Sequence, residues 1–341
     1  MQPFDFLSDR QLRQDLDSTL LAALPPGRPP VFVLGLHRSG TTFLYQLLAD
    51  HFGLATCSLY HVTHFNRLLH ARQAGLEDGY KADVQAELTR RGLSDRGIDG
   101  FPVGPDGLEE YGFILKKFSP DGGLTPRGGP VLDALLTKLS ALQPAAPAVL
   151  LKNPLDLGNA VALKQRYPDA RFVFIRRDPV RVLNSQFRNS FYYRRRPDPF
   201  LAILIAGIAY WRYAFKLFAF MDRVLPDRVY QKIVVEGLRR TIHADLRKHH
   251  ATLAQLDPAC YVEVRYEDVI QDAAPALGAV ARLLNLPMRP GIEPMATNPR
   301  LEPLFPAVEA VAEAFRRQLA GLPDAELRAV IPQAQPETAA R

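Results

Sequence analysis

Apolar residues fall into short unbroken runs, separated by longer stretches with helical spacing. Val31-Phe32-Val33-Leu34, Val149-Leu150-Leu151 and Phe172-Val173-Phe174-Ile175 carry no charge. Runs of that length and kind suit strands buried on both faces of a sheet. Residues 261–266 alternate like a strand, and another short strand is expected over residues 55–59. Helical patterns cover residues 43–52, 157–167, 201–256 with a break near Pro226, and 276–286, and a helix follows Pro179. Strands alternating with helices predict the α/β class, a P-loop-like, mostly parallel sheet flanked by helices on both faces. The breaker Pro25-Pro26-Gly27-Arg28-Pro29-Pro30 separates a helical lead, residues 1–30, from a single domain over 31–330. Residues 331–341, rich in Pro and Ala, read as a frayed tail.

Composition narrows the field only a little. The chain has 341 residues, 47% of them apolar, enough for a large core. Lys and Arg exceed Asp and Glu by 42 to 36, a balance that suits any anionic partner and selects none. No platform of interleaved aromatic and basic residues supports nucleic acid. The two cysteines, Cys57 and Cys260, fit neither a disulfide framework nor a CxxC metal site, which points to a reducing compartment. The first 20 residues lack an apolar signal core, so a cytoplasmic protein is expected. The longest apolar stretch, residues 200–211, is too short to span a bilayer. A buried helix is expected there, with membrane contact the minor alternative.

The chemistry begins after the first strand. Gly35-Leu36-His37-Arg38-Ser39-Gly40-Thr41-Thr42 joins that strand to a helix. Such a strand–loop–helix presents backbone N–H groups and a helix N-terminus to an anion. Nucleotide triphosphatases carry Lys beside the last glycine. Here Thr41 stands in that place and the cation has moved back to Arg38. An ordinary P-loop kinase or nucleotide hydrolase, kept as the alternative, would lose its bridging lysine. Arg177 and Ser185, eight residues apart across a strand end and a helix start, form a second candidate anion site.

The segment Leu36-His37-Arg38-Ser39-Gly40-Thr41-Thr42-Phe43-Leu44 resembles the 5′-phosphosulfate loop of sulfotransferases that use 3′-phosphoadenosine-5′-phosphosulfate (PAPS). Its arginine form is closer to the bacterial and tyrosylprotein branches than to the cytosolic aryl group. Residues 171–185 resemble the family's 3′-phosphate motif, with Arg177 and Ser185 at the family spacing. Val264-Arg265-Tyr266-Glu267-Asp268-Val269 resembles the segment whose tyrosine lies near adenine, and Leu151-Lys152-Asn153-Pro154 the lysine-bearing segment. The four follow one another in the family's order.

The resemblance implies a sulfuryl transfer from PAPS to a hydroxyl, less often an amine, with release of PAP and no metal required. Arg38 and Lys152 would stabilise the reacting sulfuryl and leaving oxygens. Arg38, Ser39, Gly40, Thr41, Thr42, Arg177, Ser185 and Tyr266 would hold the cofactor. The acceptor, whether small molecule, lipid, carbohydrate or peptide, is left open. A base is needed for its proton, and the candidates are His61 first, then His64 and Asp156. His37 inside the loop is a further candidate for ligand contact. The family's glycine-rich segment near the C-terminus is missing, and Arg300 is a weak substitute. A non-catalytic PAP binder is the remaining alternative.

Overall fold

The computed structural model describes residues 14–96, 101–194, 198–205, 208, 225–292 and 303–321. A five-stranded sheet lies at its centre, in the order β2-β3-β1-β4-β5. The strands are β1 (Pro30–Gly35), β2 (Ala55–Thr56), β3 (Val149–Lys152), β4 (Arg171–Arg176) and β5 (Tyr261–Arg265), and every neighbouring pair is parallel. Along β1, Phe32 and Leu34 enter one core with Phe172, Phe174, Tyr111 and Leu132. Val31 and Val33 enter the opposite core with Leu44, Leu48, Val173, Ile175 and Leu277. Successive strand residues point to opposite faces, and both faces are covered, so β1 must be apolar throughout.

The helices used below are α1 (Thr41–Phe52), α2 (Leu59–Thr63), α3 (Gly128–Leu142), α4 (Pro179–Arg194), α5 (Asp227–Leu253), α6 (Ala274–Leu284) and α7 (Pro306–Ala320). After β2 and β3 build one side of β1, the chain crosses to β4 and β5 on the other. Such a change of direction opens a crevice at the carboxyl ends of the strands, where open α/β sheets place their ligands. The register aligns those ends: Val33 lies beside Lys152, Gly35 beside Ile175, and Arg176 beside Arg265.

Several elements depart from expectation. β2 stops at Thr56 and does not reach residue 59. The Cys57 N–H donates to the Tyr45 hydroxyl at 3.0 Å, so a side chain takes the place of the next ladder partner. Ser58 then opens α2. The helix expected over 157–167 is a 3₁₀ segment, Pro154–Asn159, followed by Ala160–Arg166. Tyr266 begins a helix and does not end β5. The break near Pro226 is present, with Pro199–Leu204 before it and α5 after it. Phe200, Ile203 and Leu204 are buried, while residues 206–207 and 209–211 of the apolar stretch lie outside the described residues. Helix α7, for which the pattern raised no expectation, buries Val308, Ala312 and Phe315. Residues 331–341 and residues 1–13 of the lead lie outside the described residues. No described helix is long and apolar enough to cross a membrane.

Candidate functional site

The loop between β1 and α1 is shaped by two left-handed residues. Arg38 has φ 70° and Gly40 has φ 99°. The Ser39 N–H closes a turn on the Leu36 carbonyl at 3.1 Å. Gly40 has no substitute in this geometry, because a Cβ there would lie 2.3 Å from Cδ2 of Tyr266. The first N–H groups of α1 have no intrahelical acceptor and emerge at the carboxyl edge of the sheet. Ser39 is 1% exposed, and its Oγ has no hydrogen-bond partner.

Two strand ends bring cations to this loop, and a third brings an aromatic ring. Arg177, after β4, donates from Nη1 to the Arg38 carbonyl at 3.2 Å, and its guanidinium sits 4.4 Å from the centre of the Tyr266 ring. Tyr266, after β5, packs edge-on against Phe43 of α1. Ser185, one turn into α4, accepts from Arg38 Nε at 3.2 Å. At the end of β3, Lys152 is almost fully buried and donates to Thr42 Oγ1 at 2.8 Å. The two anion sites inferred separately from sequence therefore form one surface.

Glu110 completes the arrangement, and no motif signals it. Its carboxylate lies 2.9 Å from Lys152 Nζ. Burial works against its charge, but Lys152, then His37, hold the carboxyl down to about 2. The signal in the sequence was faint: an acidic pair, Glu109-Glu110, in a stretch of helices and loops. Only the fold shows that the backbone beside it is tied to β3, through the Tyr111 N–H on the Lys152 carbonyl at 3.2 Å. The partner residue, Glu109, pairs with Arg96.

The histidines separate into two kinds. His61 is the third residue of α2, and its Nδ1 accepts from the Ser58 N–H at 2.9 Å and lies 2.9 Å from Ser58 Oγ. That is a capping arrangement, and it occupies one ring nitrogen. Burial, followed by the charge of Lys81, pulls its pKa to about 4. Its other electrostatic neighbours are Glu77 and Asp106, on the outer flank of β2. The early end of β2 leaves His61 in a helix cap, and no described hydrogen bond joins it to the loop or to Lys152. His64 is buried, stacked on Tyr80 with ring centres 5.0 Å apart and bonded to Thr63 Oγ1. Burial leads the fall of its pKa to about 3.

Asp156 is a buried hub. It accepts from the Tyr111 hydroxyl at 2.5 Å, the Leu124 N–H at 2.6 Å, and the amides of Asn153 and Asn159 at 2.8 Å each. These bonds occupy the carboxylate and organise the turn after β3. His37 is different. Its carbonyl accepts from Gln186 Nε2 at 2.8 Å, while its side chain is exposed. Arg300 lies outside the described residues.

The class defined by these features is an α/β protein with a glycine-containing loop at the switch point of a parallel sheet and cations converging from the strands on either side. Residues 29–236 match the family model described as the sulfotransferase family, and the chain belongs to that family. Two solved structures share the fold. Sulfotransferase STF1 from Mycobacterium tuberculosis H37Rv aligns at TM-score 0.53 and 17% identity, covering 90% of this chain and 80% of that one. Sulfotransferase STF9 from Mycobacterium avium aligns at TM-score 0.52 and 16% identity, covering 89% of this chain and 70% of that one. No curated protein matches the sequence significantly.

Proposed function

We propose that this sulfotransferase takes its sulfuryl group from PAPS and transfers it to the hydroxyl of a small-molecule, lipid, carbohydrate or peptidyl acceptor, releasing PAP. The observation that carries this reading is the convergence of Arg38, Ser185, Arg177 and Tyr266 around one glycine loop. A ligand anionic at two places, with a flat base between them, matches that surface. Two details favour an anion in the loop itself. The buried Ser39 Oγ has no protein partner, and the space above Gly40 is closed to any side chain. Buried hydroxyls are seldom left unbonded, so a ligand oxygen is the natural partner.

PAPS supplies an activated sulfuryl group on a leaving phosphate. The residues then act by position and charge. Arg38, the Ser39 hydroxyl and the N–H groups of Gly40 to Thr42 would face the charge that spreads over the sulfuryl and leaving oxygens. Lys152, fixed by Thr42 and Glu110, would add a cation that needs no reorganisation during the step. Arg177 and Ser185 would hold the 3′-phosphate with a planar fork and a hydroxyl. Tyr266, with Arg177 on its ring, would bear on the adenine side. Cys57 and Cys260 are both free and buried, which suits a reducing compartment such as the cytoplasm.

The test is ligand-dependent melting, followed by transfer. PAP should raise Tm by mass action, and adenosine 5′-phosphosulfate, which lacks the 3′-phosphate, should do so much less. Equal shifts would refute the 3′ site. Incubation with labelled PAPS and a panel of phenols, sugars, lipids and tyrosyl peptides, read by mass spectrometry, would then identify the acceptor. PAP binding with no transfer to any acceptor or to water would make the chain a non-catalytic binder.

A further inference from the structure

Every base candidate taken from the sequence is committed elsewhere: His61 to a helix cap, His64 to a buried stack, and Asp156 to four donors. The proton acceptor must be accessible, close to Arg38, and not tied up by protein partners. We infer that His37, one residue before Arg38 on the loop, takes the proton of the acceptor hydroxyl, with the nearby Glu110 carboxylate favouring the imidazolium through its charge. The inference rests on the PAPS-dependent reading above.

Three observations support it. First, the His37 side chain is exposed and its ring makes no hydrogen bond to any described residue, although the residue itself is anchored. Gln186 of α4 holds its carbonyl at 2.8 Å, and Arg38 follows in a fixed left-handed conformation. Second, the carbonyl and the ring have different neighbours. The carbonyl faces α4, beside Ser185. The charges that bear on the ring are Glu110, Lys116, Lys152 and Arg38, two of them on the stretch before α3 and one at the end of β3. The charges that bear on the ring thus come from the loop, the end of β3 and the stretch before α3, and neither Arg177 nor Tyr266 is among them.

Third, the electrostatics suit a base. The ring is open to solvent at its surface yet crowded by protein atoms on its other sides, and this partial loss of hydration leads the lowering of its pKa, with Lys116, Lys152 and Arg38 acting in the same direction. The imidazole is then neutral near pH 7 and has a lone pair to offer. Glu110 acts oppositely, favouring the cation. A fixed carboxylate that stabilises imidazolium once it forms is the role an acid plays beside a catalytic histidine. The same carboxylate holds Lys152 at 2.9 Å, so one residue would fix the cation and act on the base through its charge.

The step balances without a further reactant. The acceptor O–H bond breaks and its proton passes to a ring nitrogen of His37. The acceptor oxygen's electron pair forms the new O–S bond. The bond from sulfur to the 5′-phosphate oxygen breaks, its pair leaving on PAP, and the imidazolium later returns its proton to solvent.

The experiment uses the full chain, radiolabelled PAPS, and β-naphthol or water as acceptor. His37→Ala should lower turnover by about 10²–10⁴-fold while keeping the PAP-induced rise in Tm. The acidic limb of its pH–rate profile should vanish, and added imidazole should restore part of the rate. In Glu110→Gln the limb should move to lower pH, because the charge that raises the His37 pKa is gone. Wild-type turnover with an unchanged limb in His37→Ala would overturn the inference. So would loss of PAP affinity in step with rate, which would make His37 a nucleotide contact. If the unaltered protein itself shows no PAP-induced shift, the PAPS reading fails, and the role of His37 fails with it.

Discussion

Gly40→Ala isolates the feature on which the loop depends. Two costs follow from the geometry. At φ 99° an alanine is strained, by about 1–3 kcal/mol for a residue held in a sparsely populated backbone region. The new Cβ would also lie 2.3 Å from Tyr266 Cδ2 and 2.8 Å from Cε2, so the ring must retreat by about 1 Å or more to reach ordinary contact. Tyr266 carries the Arg177 guanidinium on its face, so its movement disturbs the proposed 3′-phosphate site as well. The variant should melt several degrees lower, at about 2–4 °C per kcal/mol, and its PAP-induced Tm shift should shrink further than wild-type PAP binding would predict. Scanning calorimetry with and without PAP reads both effects. Adding Tyr266→Ala should relieve the steric part and leave the backbone part, so the double variant should be less destabilised than the two single effects summed. A Gly40→Ala protein with wild-type Tm and an unreduced PAP shift would refute the reasoning.

Three more outcomes follow from the site. Arg177→Ala should fold normally and weaken PAP binding by about 1.5–3 kcal/mol, the range for hydrogen bonds to charged groups; unchanged affinity by calorimetry would remove it from the nucleotide site. The Glu110 carboxyl is held at about 2 against an ordinary 4.5, so it contributes stability that is present above pH 4.5 and lost as pH falls toward 2. Urea unfolding at stepped pH should show up to about 3 kcal/mol of acid loss from this group, and Lys152→Met should flatten that part of the curve. Asp156→Ala strands four donors, those of Tyr111 and Asn153 buried and those of Leu124 and Asn159 partly so, which should cost about 3 kcal/mol; a near-wild-type urea midpoint would contradict its structural role.

Much of this protein is local in origin, and that part was legible in the chain. β1, β3 and β4 are continuous apolar runs because both faces of the sheet are covered, and continuous burial leaves no room for polar alternation. The loop was legible because it is a contiguous segment whose glycine and helix start are read along the backbone. The pair Arg177 and Ser185 was legible for the same reason, as both belong to one strand end and the following helix. Three things required the fold. The two anion sites merge because β4 lies directly beside β1, an adjacency of residues more than a hundred positions apart. Glu110 meets Lys152, and His37 comes within reach of both charges, because the chain between β2 and β3 returns to the end of β3. His61 was misplaced for the opposite reason. Tyr45, from a different element, caps the strand at Cys57, and Ser58 turns the chain into a helix two residues earlier than the apolar pattern suggests. Periodicity records which face a residue shows, whereas pairing between distant segments is decided by the packing that closes the sheet.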